Sequence, residues 1–265
     1  MKQLLRRMVQ LLLPARCSAC QRTGPDALCE ECSRELELVI PRYCLRCGRR
    51  RSTHYTSPDC SECHDREIGV LRSRSGYIYN ALGRQLLADF KFNGNLAVGQ
   101  ELAERALLRI PVRAARIFDE PQLRIAAILP VPLHPSRRRE RRFNQSELLA
   151  RVLADHTGLP LRTDLLVRTR ETPTQVGLTQ AQRHSNVSGA FDVGEQWRLR
   201  ISGETYIVVD DLLTTGSTLA ACARALRRRG AAGAYGLTLF STNPLVHPAE
   251  RLAEDGFHNV PPPLL

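Results

Sequence analysis

Three features are scarce in this sequence, and each scarcity narrows the possible functions. No apolar run approaches the roughly 18 residues that span a bilayer, so the sequence predicts no transmembrane segment. Aromatic residues make up only 5% of the chain, which argues against an extended platform on which bases stack. Lysine is nearly absent: only Lys2 and Lys91 occur, so 36 of the 38 basic residues are arginine. Arginine holds phosphate through two hydrogen bonds, whereas lysine acts as a point charge.

Basic residues outnumber acidic residues along the chain. The formal net charge of +11 favours acidic partners such as phosphates, nucleic acid or a membrane surface. Charge that merely keeps a protein in solution is the alternative explanation. With 265 residues, 43% of them hydrophobic, the chain is long enough to bury the core of one large domain with a small appendage.

The first 20 residues combine basic residues with a short apolar stretch, as signal peptides do. Arg6 and Arg7 interrupt that stretch, and Arg16 directly before Cys17 does not suit a lipoprotein cleavage site. Leu4, together with the other apolar residues of the segment, falls at helical spacing. This spacing favours a short amphipathic helix that packs on the protein rather than on a membrane. We therefore expect a cytoplasmic protein.

Eight of the nine cysteines form CxxC pairs within the first 63 residues. The paired residues are Cys17 and Cys20, Cys29 and Cys32, Cys44 and Cys47, and Cys60 and Cys63. Two such pairs supply the thiolates of one tetrahedral zinc ion, so the pattern predicts two closed, structural Zn²⁺ sites. A disulfide framework would require an oxidising compartment. The simplest assignment gives the first two pairs to one ion and the last two to the other, and an interleaved assignment stays open.

The cysteine-rich segment is too short to bury a large core, so we expect zinc to supply its folding free energy. Arginines surround the third CxxC pair, which favours contact with nucleic acid, and docking on the rest of the protein is the alternative. We assign an N-terminal helix and double zinc ribbon to 1–70, an α/β domain to 71–245, and a tail to 246–265. Cys222, the ninth cysteine, lies on the apolar side of a predicted helix and is expected in the core.

Strand and helix patterns alternate after the cysteines. In chain order, they predict a strand near 77–79, helices over 82–92 and from 96 onward, a buried strand from 125, a basic loop over 134–145, a helix over 146–158 and helical potential around 179–186. A strand at 205–209, a helix at 219–229 and a strand at 234–240 follow. Strand, helix and strand in succession indicate a parallel sheet.

Two adjacent aspartates, Asp210 and Asp211, follow the strand at 205–209, and hydroxyl-bearing residues follow them. Adjacent buried carboxylates are costly unless a ligand or cation compensates their charge. Ligands bind beyond the carboxyl ends of parallel strands, and a helix N-terminus attracts phosphate. A capped helix would explain one hydroxyl residue but not the acid pair. We predict a ribose 5-phosphate site formed by Asp210, Asp211, Leu212, Thr214, Thr215, Gly216, Ser217 and Thr218.

The segment 206–219 resembles the ribose-phosphate loop of type I phosphoribosyltransferases, which bind phosphoribosyl pyrophosphate (PRPP). The resemblance extends over about 77–241. It implies an α/β domain with the type I phosphoribosyltransferase fold, a parallel sheet flanked by helices. This domain follows the small N-terminal zinc-ribbon module with four-cysteine sites that the CxxC pairs predict. The resemblance also implies Mg²⁺ bound with PRPP and positioned by Asp210 and Asp211.

The whole chain resembles the ComF/GntX family of competence-associated proteins, through the CxxC pairs and the segments 90–94, 131–150 and 169–191. Similar proteins have glycine where this chain has Arg142. The resemblance implies a pyrophosphate loop after the strand that begins at 125, and a flexible loop over 168–180 that closes the site. A solvated basic loop is the alternative interpretation of the predicted pyrophosphate loop. The expected contacts are His134, Arg137, Arg138, Arg141 and Arg142 in the pyrophosphate loop, and Arg168, Arg170 and Gln175 in the flexible loop.

Two classes of function stay open. One is a magnesium-dependent phosphoribosyltransferase that transfers ribose 5-phosphate to an unidentified acceptor and releases pyrophosphate. The other is a non-catalytic adaptor that senses PRPP or a nucleotide and binds single-stranded DNA. The family resemblance implies a role in natural transformation, with imported DNA and the DNA-uptake machinery as partners. Binding driven by the net charge of +11 would be sensitive to salt.

Overall fold

The computed structural model describes residues 15–39, 43–50, 60, 63, 69–107, 124–141, 143–172 and 180–242. The predicted N-terminal amphipathic helix and the tail lie outside these residues. Within them, the strands are β1 (Ala15–Arg16), β2 (Thr23–Gly24), β3 (Ser73–Ile78), β4 (Ala127–Pro130), β5 (Leu166–Arg168), β6 (Phe191–Val193), β7 (Thr205–Leu213) and β8 (Gly233–Ser241). The α-helices are α1 (Glu30–Arg34), α2 (Ala81–Phe92), α3 (Leu96–Leu107), α4 (Pro135–Arg141), α5 (Gln145–Thr157), α6 (Gln180–Val187) and α7 (Ser217–Arg228).

A parallel sheet of four strands, in the order β3-β8-β7-β4, organises the part of the chain that the structure describes. β7 is a central strand: Val208 pairs with Gly236 of β8 on one side and with Leu129 of β4 on the other. Parallel neighbours need a crossover connection, and α7 supplies it between β7 and β8. The parallel sheet flanked by helices confirms the predicted α/β class.

Alternate residues of β7 enter two separate hydrophobic cores. Ile207 and Val209 pack among residues of α2, α3 and α5, whereas Tyr206 and Val208 pack among residues of α7, β5 and β6. Burial on both faces explains the continuous apolar run of this strand. Cys222 is fully buried in the second core, as predicted.

Two predictions about secondary structure are wrong, one about where a strand ends and one about whether a segment is a loop. Pairing of β7 with β8 continues as far as Leu213 opposite Ser241, so both aspartates lie within the end of the strand rather than in a loop. The basic segment predicted as a loop forms α4, whose first residue is Pro135. Proline suits the first helical position because it needs no hydrogen-bond acceptor there. The backbone amide of Arg138 donates to the carbonyl of His134 at 3.0 Å.

Other predicted boundaries are confirmed. α2 ends at Phe92 and α7 precedes β8 as the sequence predicts. α5 begins after Asn144, whose side chain accepts a hydrogen bond from the amide of Ser146, and ends at Gly158 with φ of 72°. Glycine adopts this left-handed conformation without steric cost. No helix among the described residues has the length and apolar character that crossing a membrane requires.

Gly99 allows α3 to approach α2 closely. A Cβ atom at this position would lie 2.4 Å from Cε2 of Phe90, a fully buried side chain. We expect Gly99→Ala to lower the free energy of unfolding by about 1–3 kcal/mol through overpacking, although alanine favours helix. Urea denaturation measures this change. Gly24→Ala is the matched control because no atom lies within 4 Å of its added Cβ; equal midpoints for the two variants would contradict the close packing.

Candidate functional site

The two aspartates at the end of β7 have different partners. The Lys91 ammonium, on α2, lies 2.9 Å from Oδ1 and 2.8 Å from Oδ2 of Asp211. Oδ1 of Asp210 accepts hydrogen bonds from Oγ of Ser146 at 3.1 Å and from the backbone amide of Asp211 at 3.0 Å. Two helices that are distant in sequence therefore each supply a donor to the acid pair.

The Asp210 carboxyl lies in an environment that disfavours its charge. Burial is the main cause that raises the pKa of Asp210 to about 7, and repulsion from Asp211 acts in the same direction. The charge of Lys91 and the two hydrogen bonds to Asp210 oppose this rise. A carboxyl with a pKa near neutrality is typical of sites where a cation or a hydroxyl-bearing ligand completes the charge balance.

Sequence reasoning did not identify Lys91 and Ser146 as site residues. Both lie within segments that carry the family resemblance, 90–94 and 131–150. A further signal for Lys91 was its rarity, because a lysine is unusual in a chain whose basic residues are otherwise arginine. Neither signal identifies the partner, because Lys91 is 120 positions from Asp211 in the sequence and Ser146 is 64 positions from Asp210.

The turn after β7 places hydroxyl groups at the N-terminus of α7. The Thr215 and Ser217 hydroxyl oxygens are 2.8 Å apart, and the Ser217 amide donates to Oγ1 of Thr215 at 3.3 Å. Gly216 precedes the helix with φ of 81°, a conformation that favours glycine. Its nearest neighbour would be Cδ1 of Leu213, 3.6 Å from an added Cβ, so the turn is not blocked by packed side chains at this point.

The other predicted residues of this turn differ in burial. Thr214 and Thr218, on either side of the glycine, are half-buried, while Ser217 is buried. The side chain of Leu212 packs at the edge of the first core. Leu212 thus contacts the hydrophobic core, and the hydroxyl groups and the helix N-terminus are the groups suited to a phosphate.

Two of the predicted arginines lie close to each other, and one of them, Arg168, interacts electrostatically with Asp210. Arg168, at the end of β5, donates to Oγ1 of Thr172, and Nη2 of Arg137 donates to the backbone carbonyl of Thr172 at 3.1 Å. Burial lowers the pKa of Arg168, repulsion from Arg137 adds to this effect, and attraction to Asp210 opposes it. The Arg168 guanidinium also lies 5.3 Å from the ring centre of Phe191. Cations that repel each other beside a buried acid favour the binding of an anion between them.

The predicted pyrophosphate and flexible loops contact each other. Oγ of Ser136 lies 2.8 Å from Nδ1 of His134 and donates to Oε1 of Glu171 at 2.6 Å. Arg138 instead pairs with Glu147 at 3.4 Å on an exposed surface. Nη2 of Arg170 donates to two backbone carbonyls, at 3.0 and 2.9 Å. Arg142, Gln175 and the Arg141 side chain lie outside the described residues.

The eight paired cysteines form two compact groups with sequential pairing. The first zinc cluster is Cys17, Cys20, Cys29 and Cys32, and the second zinc cluster is Cys44, Cys47, Cys60 and Cys63. All sulfur atoms of a cluster lie within 4.8 Å of one another, and all these cysteines are free thiols. A tetrahedral zinc ion with Zn–S bonds of about 2.3 Å requires sulfur atoms about 3.8 Å apart. The Sγ–Sγ distances of 3.8 Å for Cys20–Cys29 and 3.7 Å for Cys47–Cys60 fit this geometry.

Comparisons with known proteins agree with this architecture. The double zinc ribbon domain family matches residues 8–64, and the phosphoribosyl transferase domain family matches residues 144–244. Over 225 residues the chain is 32% identical to the DNA utilization protein YhgH of Escherichia coli K12, covering 84% of this chain and 95% of that protein. The chain belongs to the ComF family. It is also 30% identical over 219 residues to competence protein F of Haemophilus influenzae, covering 81% of this chain and 92% of that protein.

More distant similarities extend the ComF-family comparison. Competence protein ComFC of Bacillus subtilis is 28% identical over 211 residues, covering 78% of this chain and 80% of that protein. The glutamine PRPP amidotransferase from B. subtilis shares 19% identity at a TM-score of 0.34, over 54% of this chain and 27% of that chain, a likeness too slight to argue from. The parallel sheet and the matched domain family show the phosphoribosyltransferase fold.

Replacement of Asp210 by asparagine tests the electrostatics of this site. The carboxyl ionises near pH 3.9 in an unfolded chain and near pH 7 in the folded protein. The folded protein therefore binds the extra proton, and its stability falls as the pH rises from about 4 to 7. Asparagine stays neutral and can still accept the Ser146 hydrogen bond. We expect Asp210→Asn to raise Tm at pH 8 by roughly 5–10 °C.

The Tm gain should be much smaller at pH 4, where the wild-type carboxyl is protonated in the folded state. Asp155→Asn, at an exposed position of α5, is the control for loss of one negative charge. Differential scanning calorimetry at the two pH values measures the effect. A gain for Asp210→Asn that is the same at pH 4 and pH 8 would contradict a raised pKa.

Proposed function

We propose that this ComF-family protein binds PRPP at the carboxyl edge of its parallel sheet. The observation that carries the proposal is the acid pair at the end of β7, with Lys91 and Ser146 on its carboxylates and Arg168 close to Asp210. In the proposed complex, the vicinal hydroxyls of ribose bind the acid pair. The 5-phosphate binds the hydroxyl-rich turn and the N-terminus of α7.

The diphosphate of PRPP is the proposed ligand of the arginines on the other side of Asp210. Arg137, of the predicted pyrophosphate loop, and Arg168, of the predicted flexible loop, converge on the same residue, Thr172. Guanidinium groups hold phosphate oxygens through paired hydrogen bonds. Mutual repulsion between the two cations decreases when an anion binds, so their proximity favours a doubly charged ligand.

Magnesium is the proposed cofactor of PRPP binding. Carboxylate oxygens suit Mg²⁺, which usually keeps several waters and binds one or two carboxylates together with substrate phosphates. Asp210 and Asp211 are the residues proposed to position it. When bound, the ion would supply positive charge that stabilises the pyrophosphate leaving group. The arginines would add to this stabilisation, and contact between the two loops would exclude water from the site.

The proposal extends from PRPP binding to catalysis of phosphoribosyl transfer. In a phosphoribosyl transfer, the bond between ribose carbon 1 and pyrophosphate breaks and a bond from carbon 1 to the acceptor forms. His134, a candidate for moving a proton, contacts Ser136 and is therefore not committed to the acid pair. Release of pyrophosphate from PRPP in the presence of nucleobases distinguishes an enzyme from a PRPP-sensing adaptor, because an adaptor binds PRPP without releasing pyrophosphate.

Replacement of both aspartates tests the proposed ligand. We expect Asp210→Asn with Asp211→Asn to weaken PRPP binding in the presence of Mg²⁺ by at least about 100-fold, because two charge-assisted sets of contacts are lost. Isothermal titration calorimetry measures the affinity, and the zinc content should stay at two ions per chain. Wild-type affinity in this variant would refute the site. Asp155→Asn is the control and should bind PRPP as the wild type does.

We further propose that the protein binds single-stranded DNA on the cytoplasmic side of the membrane during natural transformation or use of imported DNA. The names of the relatives, a competence protein and a DNA utilization protein, support this role. The net charge of +11 supports binding through phosphates, and the 5% aromatic content argues against binding mainly by stacking.

Salt dependence tests the DNA proposal. We expect the affinity for a poly-dT oligonucleotide to fall by roughly tenfold or more between 50 and 200 mM salt, because bound cations on DNA are released. Fluorescence anisotropy at several salt concentrations measures the slope. An affinity that is independent of salt would contradict the electrostatic account. The Asp210→Asn variant should retain the wild-type slope, because the substitution removes no surface cation.

A further inference from the structure

The CxxC turn that opens the first zinc cluster rests on α2 and on the turn that follows it. Ser18 and Ala19 lie between the zinc ligands Cys17 and Cys20. Nε2 of Gln85, on α2, donates to the backbone carbonyls of Ser18 and Ala19 at 2.9 and 3.0 Å. The side-chain amide of Asn95 donates to Oγ of Ser18 at 2.9 Å. A turn that is shaped by the metal thus holds α2 through two hydrogen bonds and the turn after α2 through a third.

These contacts reach the last turn of α2, which carries Lys91. Nδ2 of Asn95 also donates to Oδ2 of Asp89 at 2.8 Å, and Oδ1 of Asp89 accepts from Nδ2 of Asn93 at 2.9 Å. The backbone amides of Asn93 and Asn95 both donate to the carbonyl of Asp89. Lys91 lies between these residues in the chain, so the position of its backbone depends on the same network.

α2 extends across the edge of the sheet where the aspartates lie. It begins directly after β3, and near its start an added Cβ on Gly83 would lie 2.8 Å from the Phe240 ring of β8. Near its end, Lys91 pairs with Asp211 of β7. Since β8 lies between β3 and β7, the helix passes over the central strands above the proposed ribose-phosphate site.

The second CxxC turn of the first zinc cluster docks on the neighbouring helix. The amide of Leu28, next to Cys29, donates to Oε2 of Glu101 on α3 at 3.1 Å. Arg105 of α3 contacts Oε2 of Glu30 at 2.9 Å, Oγ of Ser33 at 3.0 Å and the Leu28 carbonyl at 3.3 Å. Both halves of the first zinc cluster are therefore attached to the helices that cover the site.

The second zinc cluster contacts a different part of the sheet. The amide of Ser73, the first residue of β3, donates to the carbonyl of Arg46 at 2.6 Å. Nη1 of Arg74 donates to the Leu45 carbonyl at 3.0 Å. These residues begin the strand, at the amino edge of the parallel sheet, whereas the acid pair lies at the carboxyl edge. The second zinc cluster thus contacts the end of the sheet opposite the acid pair, whereas the first contacts helices α2 and α3.

We propose that the first zinc cluster, and not the second, controls the affinity of the ribose-phosphate site by holding Lys91 against Asp211. Loss of metal from the first cluster would release the Ser18–Ala19 turn and with it the end of α2. Asp211 would then lose the ammonium group that lies 2.8 Å from its Oδ2 atom, so its carboxylate would no longer be held in position for the ligand. This inference rests on the proposed PRPP site and makes that site dependent on zinc supply.

A double variant separates docking of the zinc cluster from zinc binding. Ser18→Ala with Gln85→Ala removes the three hydrogen bonds but no zinc ligand, so the full chain should retain two zinc ions. We expect its affinity for PRPP with Mg²⁺ to fall roughly tenfold, while Tm stays within about 2 °C of the wild-type value. Gln100→Ala is the matched control, because the hydrogen bond of its Nε2 atom to Glu104 stays within α3.

A conservative variant and a second measurement identify the mechanism. Gln85→Arg retains N–H donors at this position and should restore most of the affinity in the Ser18→Ala background. Hydrogen–deuterium exchange of the amides of 86–95 should be faster in the double variant than in the wild type and in Gln100→Ala, because the end of α2 is no longer anchored.

Each outcome decides between the proposals. Wild-type affinity in the double variant would overturn the inference, and so would weaker binding with unchanged exchange, since the effect would then not pass through α2. If wild-type protein does not bind PRPP, the proposed function fails. In that case the exchange measurement alone decides whether the first zinc cluster anchors the helix that carries Lys91.

Discussion

Two neighbouring carboxylates at the buried end of a central strand constrain the rest of the structure. Burial and mutual repulsion both raise the pKa of Asp210, so the fold must bring donors or cations to this point or accept a large electrostatic cost. Three segments do so: α2 brings Lys91, the start of α5 brings Ser146, and the end of β5 brings Arg168. The parallel topology makes this convergence possible, because strand ends and the connections that leave them meet at the same edge.

The zinc clusters contribute where a hydrophobic core cannot. The cysteine-rich segment before β3 is too short to bury a large core of its own, and metal coordination fixes its turns instead. Once the turns are fixed, their backbone carbonyls and amides bond to Gln85, Glu101 and Arg105 on the outer surfaces of α2 and α3. A helix that covers a ligand site has one face toward the sheet and needs support on the other. The first zinc cluster supplies that support, which links a structural metal to the geometry of the site.

The sequence predicts local features of this molecule well and distant contacts poorly. Four CxxC pairs, an apolar strand with two aspartates near its end, and a glycine before a helix are each encoded within a few residues, and the structure contains all of them. The exact end of β7 was not predictable, because it depends on pairing with β8 as far as Ser241. The partners of the aspartates were missed for the same reason: Lys91 is 120 residues from Asp211, and only the strand order brings them together.

The identity of the cation beside Asp211 follows from the chemistry that the site needs. Within the described residues, ion pairs at Glu31, Glu101 and Asp192 all use arginine, as expected for a chain so rich in it. Those ion pairs have a structural role. A guanidinium group suits this role because it can donate hydrogen bonds to both carboxylate oxygens. Lysine is a compact point charge on a flexible stem. It neutralises Asp211 while leaving lone pairs on both oxygens for hydroxyl donors or a metal ion, so the acid pair can be stable before its proposed ligand arrives and still bind it.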